Sequence, residues 1–304
     1  MSEPNWALSR KRQTLTERAQ IIQSIRSFFI DRGYLEVETP HRIPANAPEL
    51  HIDAVASGTC ALHSSPELNM KRMLAAGYEQ LFQICRVWRE GERGQFHLPE
   101  FTLLEWYRVG IDYNALMNEC IELLLVLIPE GKLCCGERTI DLASPWQKLT
   151  VAEAFTKYAT MDLNDALSTD CFEEILTSEV EPHLGKERPT FLTEYPINLA
   201  ALARTKPGEP QVAERFELYI NGLELANAFS ELTDMEEQRR RFEEDEALRR
   251  AAGKRPYPLP EKFLAELANM PEAAGIALGL DRLVMLITEA EKIDDVVAFC
   301  PDDL

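Results

Sequence analysis

RFELYINGLELANAFSEL, residues 215–232, holds glutamates at 217, 224 and 231 around the dipeptide Asn221-Gly222. On a helix, a spacing of seven would stack all three along one solvated stripe. Asn-Gly between two runs rich in aromatic and aliphatic residues argues for a hairpin instead, because both positions of its tight turn need φ > 0. In a two-residue hairpin Ile220 faces Leu223, Tyr219 faces Glu224 and Glu217 faces Ala226. Alternation then puts Glu217, Tyr219 and Glu224 on one face. Glu217 and Glu224 become diagonal neighbours, with Cα atoms roughly 7–8 Å apart. Such carboxylates repel unless a cation lies between them, and Mg²⁺ takes oxygen ligands, often one or two carboxylates plus substrate phosphates. The wet outer face of an edge hairpin would hold the same residues, so this stretch alone leaves both readings open.

Around the hairpin, helical and strand patterns alternate. Ile21, Ile22, Ile25, Phe28 and Phe29 recur at helical spacing before Gly33. "YLEVETP" alternates as a strand, "PELNMKRMLAAG" reads as a helix, and "EQLFQICRVWRE" and "FTLLEWYRV" read as two strands joined by a polar loop. Residues from about 129 to 188 read as a mainly helical insertion. Strands return with "PTFLTEYP" and the glutamate hairpin. "EEQRRRFEEDEALRRAAG" reads as a charged, solvated helix, and "GIALGLDRLVMLITEAEK" as a Gly-rich strand turning into a helix. Strands joined through hairpins favour one α+β domain built on an antiparallel sheet flanked by helices.

Composition narrows the function. The 304-residue chain carries 51 acidic against 32 basic residues, a formal net charge of −19. That balance disfavours a broad nucleic-acid surface, which depends on Lys and Arg to neutralise phosphates. The opening residues lack the apolar run of a signal peptide, and no stretch reads as a membrane span. Seven scattered cysteines form no CxxC pair and suit a reducing cytoplasm.

Two further segments carry chemistry. "CRVWREGERGQFHLPEFTLLEWYR" puts Arg89 at a strand end, His97 in a loop and Phe101 at the start of the next strand. Arginine grips phosphate oxygens in a planar fork, and an aromatic face stacks a base for ~1–3 kcal/mol. In "ALGLDRL", Gly279 and Arg282 at a helix start would suit a bound triphosphate. Each also has a plain structural use: Arg89 pairing with Glu92, Phe101 in the core, Arg282 in an ion pair.

Together, "FFIDRGYLEVETP", "WREGERGQFHLPEFTLLEWY" and "GIALGLDRLVML" resemble the three ordered motifs of class II aminoacyl-tRNA synthetases. "SSPELNMKRML", "FLTEYPINLAALAR" and "ELYINGLELANAFSELTD" are similar to the lysine branch. The resemblance runs from about residue 14 to the C-terminus. The first motif's helix begins near residue 16, leaving no room for an anticodon-binding barrel, so the chain resembles the elongation factor P lysine ligase family. That resemblance implies a homodimer that uses ATP and Mg²⁺ to activate lysine, preferably (R)-β-lysine, and transfers it to a lysine side chain of elongation factor P rather than to tRNA. It implies Arg89 on the α-phosphate, Phe101 on adenine, His97 and Arg282 on the outer phosphates, and Gly279 giving the nucleotide access to the backbone. Glu90, Gly91, Leu98 and Leu225 would adjoin the ATP, and Glu217 and Glu224 would bind Mg²⁺. Ser65, Pro66, Glu67, Tyr107, Glu231 and Ala277 would line the lysine pocket, with Glu67 taking the backbone-type amine and Glu231 and Tyr107 the ε-ammonium.

Three positions depart from the family pattern. The usual Arg-x-Glu reads Arg89-Glu90-Gly91-Glu92, leaving a glutamate on either side of the expected place. Leu98 replaces a usual Asn. Ala277 replaces the Gly of lysyl-tRNA synthetases, where a methyl would crowd an α-amine and is consistent with β-lysine. Two rivals remain at this stage: a truncated lysyl-tRNA synthetase, and a catalytically silent paralogue that binds lysine or a nucleotide as a regulator.

Overall fold

The hairpin forms where Asn221-Gly222 places it, with Asn221 at φ 55° and Gly222 at φ 76°. The structure, a computed structural model, describes residues 6–304. In chain order its main-sheet strands are β1 (Leu35–Glu36), β2 (Gln80–Trp88), β3 (Glu100–Val109), β4 (Gln147–Thr150), β5 (Thr190–Thr193), β6 (Arg215–Ile220), β7 (Leu223–Ser230) and β8 (Ala273–Gly279). They make an eight-stranded sheet in the order β1-β2-β3-β8-β7-β6-β5-β4. Helices flank it, so the class is α+β.

The pairs β2–β3, β5–β6, β6–β7 and β7–β8 are antiparallel, whereas the edge pairs β1–β2 and β4–β5 are parallel. The sheet is therefore mixed. Parallel neighbours need a long crossover. Between β1 and β2 the chain makes the helix Glu67–Ala75, and between β4 and β5 the helices Val151–Tyr158, Leu163–Ser168 and Phe172–Ile175.

One register detail corrects the sequence expectation. Tyr219 faces Glu224 as expected, but a bulge follows, and Glu217 faces Asn227 rather than Ala226. The extra residue, Leu225, is buried at 2% exposure. A bulge sets two residues against one and reverses the alternation beyond it. Glu224, Asn227 and Phe229 consequently share the face of Arg215, Glu217 and Tyr219. Gly275 and Ala277 of β8 pair with Phe229 and Asn227 and join that face.

The described chain divides into two compact units. The first comprises the residues up to Val109, Thr233–Pro271 and Gly279–Leu304. Its long helix Arg12–Asp31 buries Ile21, Ile25, Phe28 and Phe29, and Phe29 stacks on Phe82 at 5.0 Å. Gly33, at φ 82°, follows the helix's end, as the sequence indicates. The charged helix spans Met235–Ala251, capped by the Asp234 side chain. It is not a wholly solvated helix: Gln238, Arg241, Phe242, Glu246 and Arg249 are buried on one side.

The second unit is Gly110–Leu232 with Glu272–Leu278. Its helix Tyr113–Leu127 starts at Asp112, whose carboxylate accepts from the N–H groups of Asn114 and Ala115. A core of Val151, Phe155, Phe172, Leu176 and Leu192 packs beneath Tyr195 and Tyr219. Gly185 lies directly on the hairpin; a Cβ there would sit 2.5 Å from the Tyr219 carbonyl oxygen. Among the described residues no helix is long and apolar enough to cross a membrane.

Candidate active site

In the first unit, three consecutive amides hold the end of β2. Trp88 N–H donates to His63 O at 3.1 Å, Arg89 N–H to Pro99 O at 2.9 Å, and Glu90 N–H to Asp53 O at 2.6 Å. The Arg89 guanidinium lies 5.1 Å from the Phe101 ring centroid and 3.8 Å from Glu92. Its Nε is buried without a hydrogen-bond partner among the described residues. Of the two glutamates flanking Gly91, Glu92 is the one against Arg89, while Glu90 is exposed. Gly91 serves the turn, at φ 80°, and Leu98 is buried at 3% exposure.

Arg282, in the first turn of the helix Leu280–Ile287, reaches the same loop. Its Nε donates to Phe96 O at 3.3 Å and its Nη2 lies 2.6 Å from His97 Nε2. Burial, then the charges of Arg282 and Arg89, push the His97 imidazole below its ordinary range, against Glu92. Burial and the nearby charges of Arg282 and Arg89 thus favour the uncharged form of the His97 imidazole. Asp281 next door is spoken for: it pairs with Arg18 at 2.6 Å and accepts the Thr102 N–H at 2.8 Å. Gly279 has an ordinary φ of −68°, and a Cβ there would meet only the Arg282 side chain, at 3.6 Å. Among the described residues, neither backbone conformation nor packing requires glycine at this position.

A second cluster in this unit surrounds Glu105. Ser65 Oγ donates to one Glu105 oxygen at 2.6 Å, and Tyr107 OH donates to the other at 2.8 Å. Ser65 Oγ also accepts the Glu67 N–H at 3.0 Å, just past Pro66 at the helix start. The Glu67 carboxylate pairs with buried Lys71 one turn on. Burial and then the Glu67 charge push the Glu105 carboxyl up to about 8, against hydrogen bonds from Ser65 and Tyr107 and the charge of Lys71. A fully buried acid is costly as a bare charge unless a cation or hydrogen-bond donors accompany it.

In the second unit, the hairpin face gathers acids. Arg215 Nη2 donates to Glu217 Oε1 at 2.6 Å, while Tyr195 OH and Tyr219 OH donate to Oε2 at 2.5 and 2.6 Å. Burial, then Glu217, push both phenols well above their ordinary value, so both stay protonated and donate. Burial, then Glu224, raise Glu217 itself, against Arg215 and the two tyrosines. Glu181 is pushed up to about 7 by burial, with Glu217, Glu224 and Glu173 adding and the Tyr219 hydroxyl opposing. A carboxylate offers about four lone-pair sites, and Glu217 spends three on these donors, leaving one on Oε1. Acids in excess of Arg215 with oxygen-only donors fit a hard divalent cation. Glu231 is buried at 1% exposure, and its N–H donates to Ala273 O at 2.9 Å.

A family profile described as "tRNA synthetases class II (D, K and N)" matches residues 6–303. Elongation factor P--(R)-beta-lysine ligases of Erwinia tasmaniensis, Salmonella gallinarum and Edwardsiella ictaluri are 41%, 42% and 39% identical to this chain. The matches cover 98%, 99% and 98% of this chain and the same shares of those relatives. The chain belongs to the class II tRNA synthetase family, within the family of these ligases.

The sequence reading groups Arg89, His97, Phe101 and Arg282, which lie together in the first unit, and Ser65, Pro66, Glu67, Tyr107, Glu231 and Ala277, of which Ser65, Glu67 and Tyr107 meet around Glu105 in that unit. It missed Glu105, which lies two residues before Tyr107 and so on the same face of β3. The available signal was an acid in an otherwise apolar run, "TLLEWY". It placed Tyr219 on the face of Glu217 but missed Tyr195, and it missed the buried arginine of the charged helix.

Proposed function

We propose that this protein is an ATP-dependent, AMP-forming ligase that activates lysine, by preference (R)-β-lysine, and joins it to a lysine side chain of elongation factor P. What supports the reading most directly is the loop in which Arg89 lies over Phe101 while Arg282 grips neutral His97. The identity of the chain to ligases of that name supports the same conclusion.

The lysine carboxylate attacks the α-phosphorus of ATP in line, the bond to the β-phosphate oxygen breaks, and pyrophosphate leaves. The acceptor lysine's neutral amine then attacks the adenylate carbonyl; an amide forms, AMP leaves, and the amine gives up a proton. A carboxylate needs no activation as a nucleophile, so positioning and charge neutralisation carry the rate. Arg89 would take the α-phosphate, Phe101 would stack on adenine, and His97 and Arg282 would take the outer phosphates. Glu90, Gly91, Leu98, Leu225 and Gly279 would adjoin the nucleotide. Glu217 and Glu224 would hold Mg²⁺, which when bound neutralises phosphate charge. Tyr195, Tyr219 and Arg215 keep Glu217 oriented for that role. Glu105, Tyr107 and Ser65 would receive the ε-ammonium with Glu231, Glu67 would receive the other amine, and Ala277 would restrict where that amine can sit. We place the enzyme in the cytoplasm as a homodimer that does not require tRNA.

Intact mass of elongation factor P, after incubation with the protein, ATP, Mg²⁺ and either lysine isomer, tests this. A gain of one lysyl residue, larger with (R)-β-lysine, is the expected result. Unmodified elongation factor P together with lysylated tRNA would overturn it in favour of a tRNA-charging enzyme.

A further inference from the structure

Arg249 is fully buried near the end of the charged helix, and every partner of its guanidinium lies in two short loops. Nη1 donates to Glu49 O at 2.6 Å and Ile52 O at 3.0 Å. Nη2 donates to Asp53 Oδ1 at 2.8 Å and to Arg255 O at 3.4 Å. The guanidinium lies 4.1 Å from the ring centroid of Tyr257, whose hydroxyl accepts the Ala54 N–H at 2.6 Å. Lys254 Nζ holds the other Asp53 oxygen at 2.9 Å.

Burying an arginine is costly, and packed apolar side chains usually hold a loop as well or better. The arginine is accounted for by what Asp53 does with its backbone. Its carbonyl accepts the Glu90 N–H at 2.6 Å, one residue beyond Arg89. The path is thus two bonds long: Arg249 fixes Asp53, and Asp53 fixes the peptide that carries Arg89. The amide of Arg89 is already fixed on its other side by Pro99 O. Burial opposes the charge on Asp53, but hydrogen bonds from Lys254 and Arg249 outweigh it and hold the carboxyl below its ordinary range.

We propose that Arg249 is a positioning residue for the nucleotide-binding arginine, acting through Asp53 and the Glu90 amide. The inference rests on the ligase reading for its kinetic consequence and on geometry alone for its structural one. Because the fork makes four bonds with fixed geometry, Arg249→Lys does not substitute for it.

The test combines lysine-dependent ATP–pyrophosphate exchange with amide hydrogen exchange at Glu90, on the full-length protein. Arg249→Lys, and the milder Asp53→Asn for the case in which Arg249→Lys fails to fold, are compared with wild type. The expected result is a KM for ATP raised about ten-fold or more, as for a displaced phosphate ligand, an unchanged KM for lysine, and faster exchange at the Glu90 amide. An unchanged KM for ATP in a folded variant, or equal rises in both KM values, overturns the proposal, as does unaltered Glu90 exchange. Wild-type protein without lysine-dependent exchange would overturn the ligase reading, and the Glu90 amide would still decide this one.

Discussion

The Glu105 carboxyl should make lysine binding strongly dependent on pH. Burial and the Glu67 charge lift it from the ordinary 4.5 to about 8, yet only its ionised form attracts an ammonium group. Binding below that value must therefore expel a proton. The affinity penalty is 1 + 10^(8 − pH), about 100-fold at pH 6, about 11-fold at pH 7 and about two-fold at pH 8. The KM for lysine in ATP–pyrophosphate exchange should thus fall about fifty-fold between pH 6 and pH 8. Calorimetric titration with lysine in buffers of different ionisation enthalpy should count close to one proton released per site below pH 7. Glu105→Gln keeps the shape but loses the charge; it should bind lysine about 10- to 150-fold more weakly than the ionised wild type, the worth of a charge-assisted hydrogen bond, and without pH dependence. Stability should move the opposite way. The folded state holds this proton more tightly than the unfolded chain, so the associated stability is complete below about 4.5 and is lost as pH rises through about 8. Glu105→Gln should remove that loss, of order several kcal/mol, and melt higher than wild type at pH 9. A flat KM for lysine from pH 6 to 8, or no proton release, would refute the reasoning.

Three further outcomes are expected. Arg282→Ala should abolish adenylate formation, and near-normal pyrophosphate exchange in that variant would sink the phosphate-binding role. Gly185→Ala combines a φ of +67° with a Cβ 2.5 Å from the Tyr219 carbonyl oxygen; chemical denaturation should show a loss of about 2 kcal/mol or more, and a loss under half of that would contradict the close approach. Glu224→Gln should raise the Mg²⁺ concentration needed for half-maximal exchange about ten-fold or more, since one carboxylate ligand is lost; an unchanged Mg²⁺ dependence would move the cation elsewhere.

Much of this architecture is legible in the residues. Asn221-Gly222, the apolar period of Ile21 to Phe29 and the alternation of "LFQICRVW" each report a local preference that the tertiary structure does not oppose. The parts that escaped depend on non-local partners. Parallel edges follow from where long crossovers return, which no local pattern encodes. Leu225 and Ala226 are ordinary strand residues, so nothing in their chemistry announces the bulge. Arg249 sits in a run of charges where its burial depends on carbonyl groups about two hundred residues earlier in the chain. Glu105 has the opposite difficulty: its strand was read correctly, and its role emerges only when Ser65 arrives from another element.

The bulge at Leu225 has an arithmetical consequence for how such sequences are compared. In an unbroken strand, residues that serve one face are separated by even intervals. The interval from Glu224 to Asn227 is three, and an odd interval between residues of common orientation counts one irregularity in the backbone between them. Parity is thus a one-bit record of a bulge that survives any change of side chain around it. Deleting the extra residue itself, Leu225, would leave an even interval in an unbroken strand and keep the two faces as they are, whereas an insertion beside an intact bulge would preserve every glutamate and still turn the residues beyond it to the other face. For this hairpin, the spacing is as much a part of the site as the carboxylates.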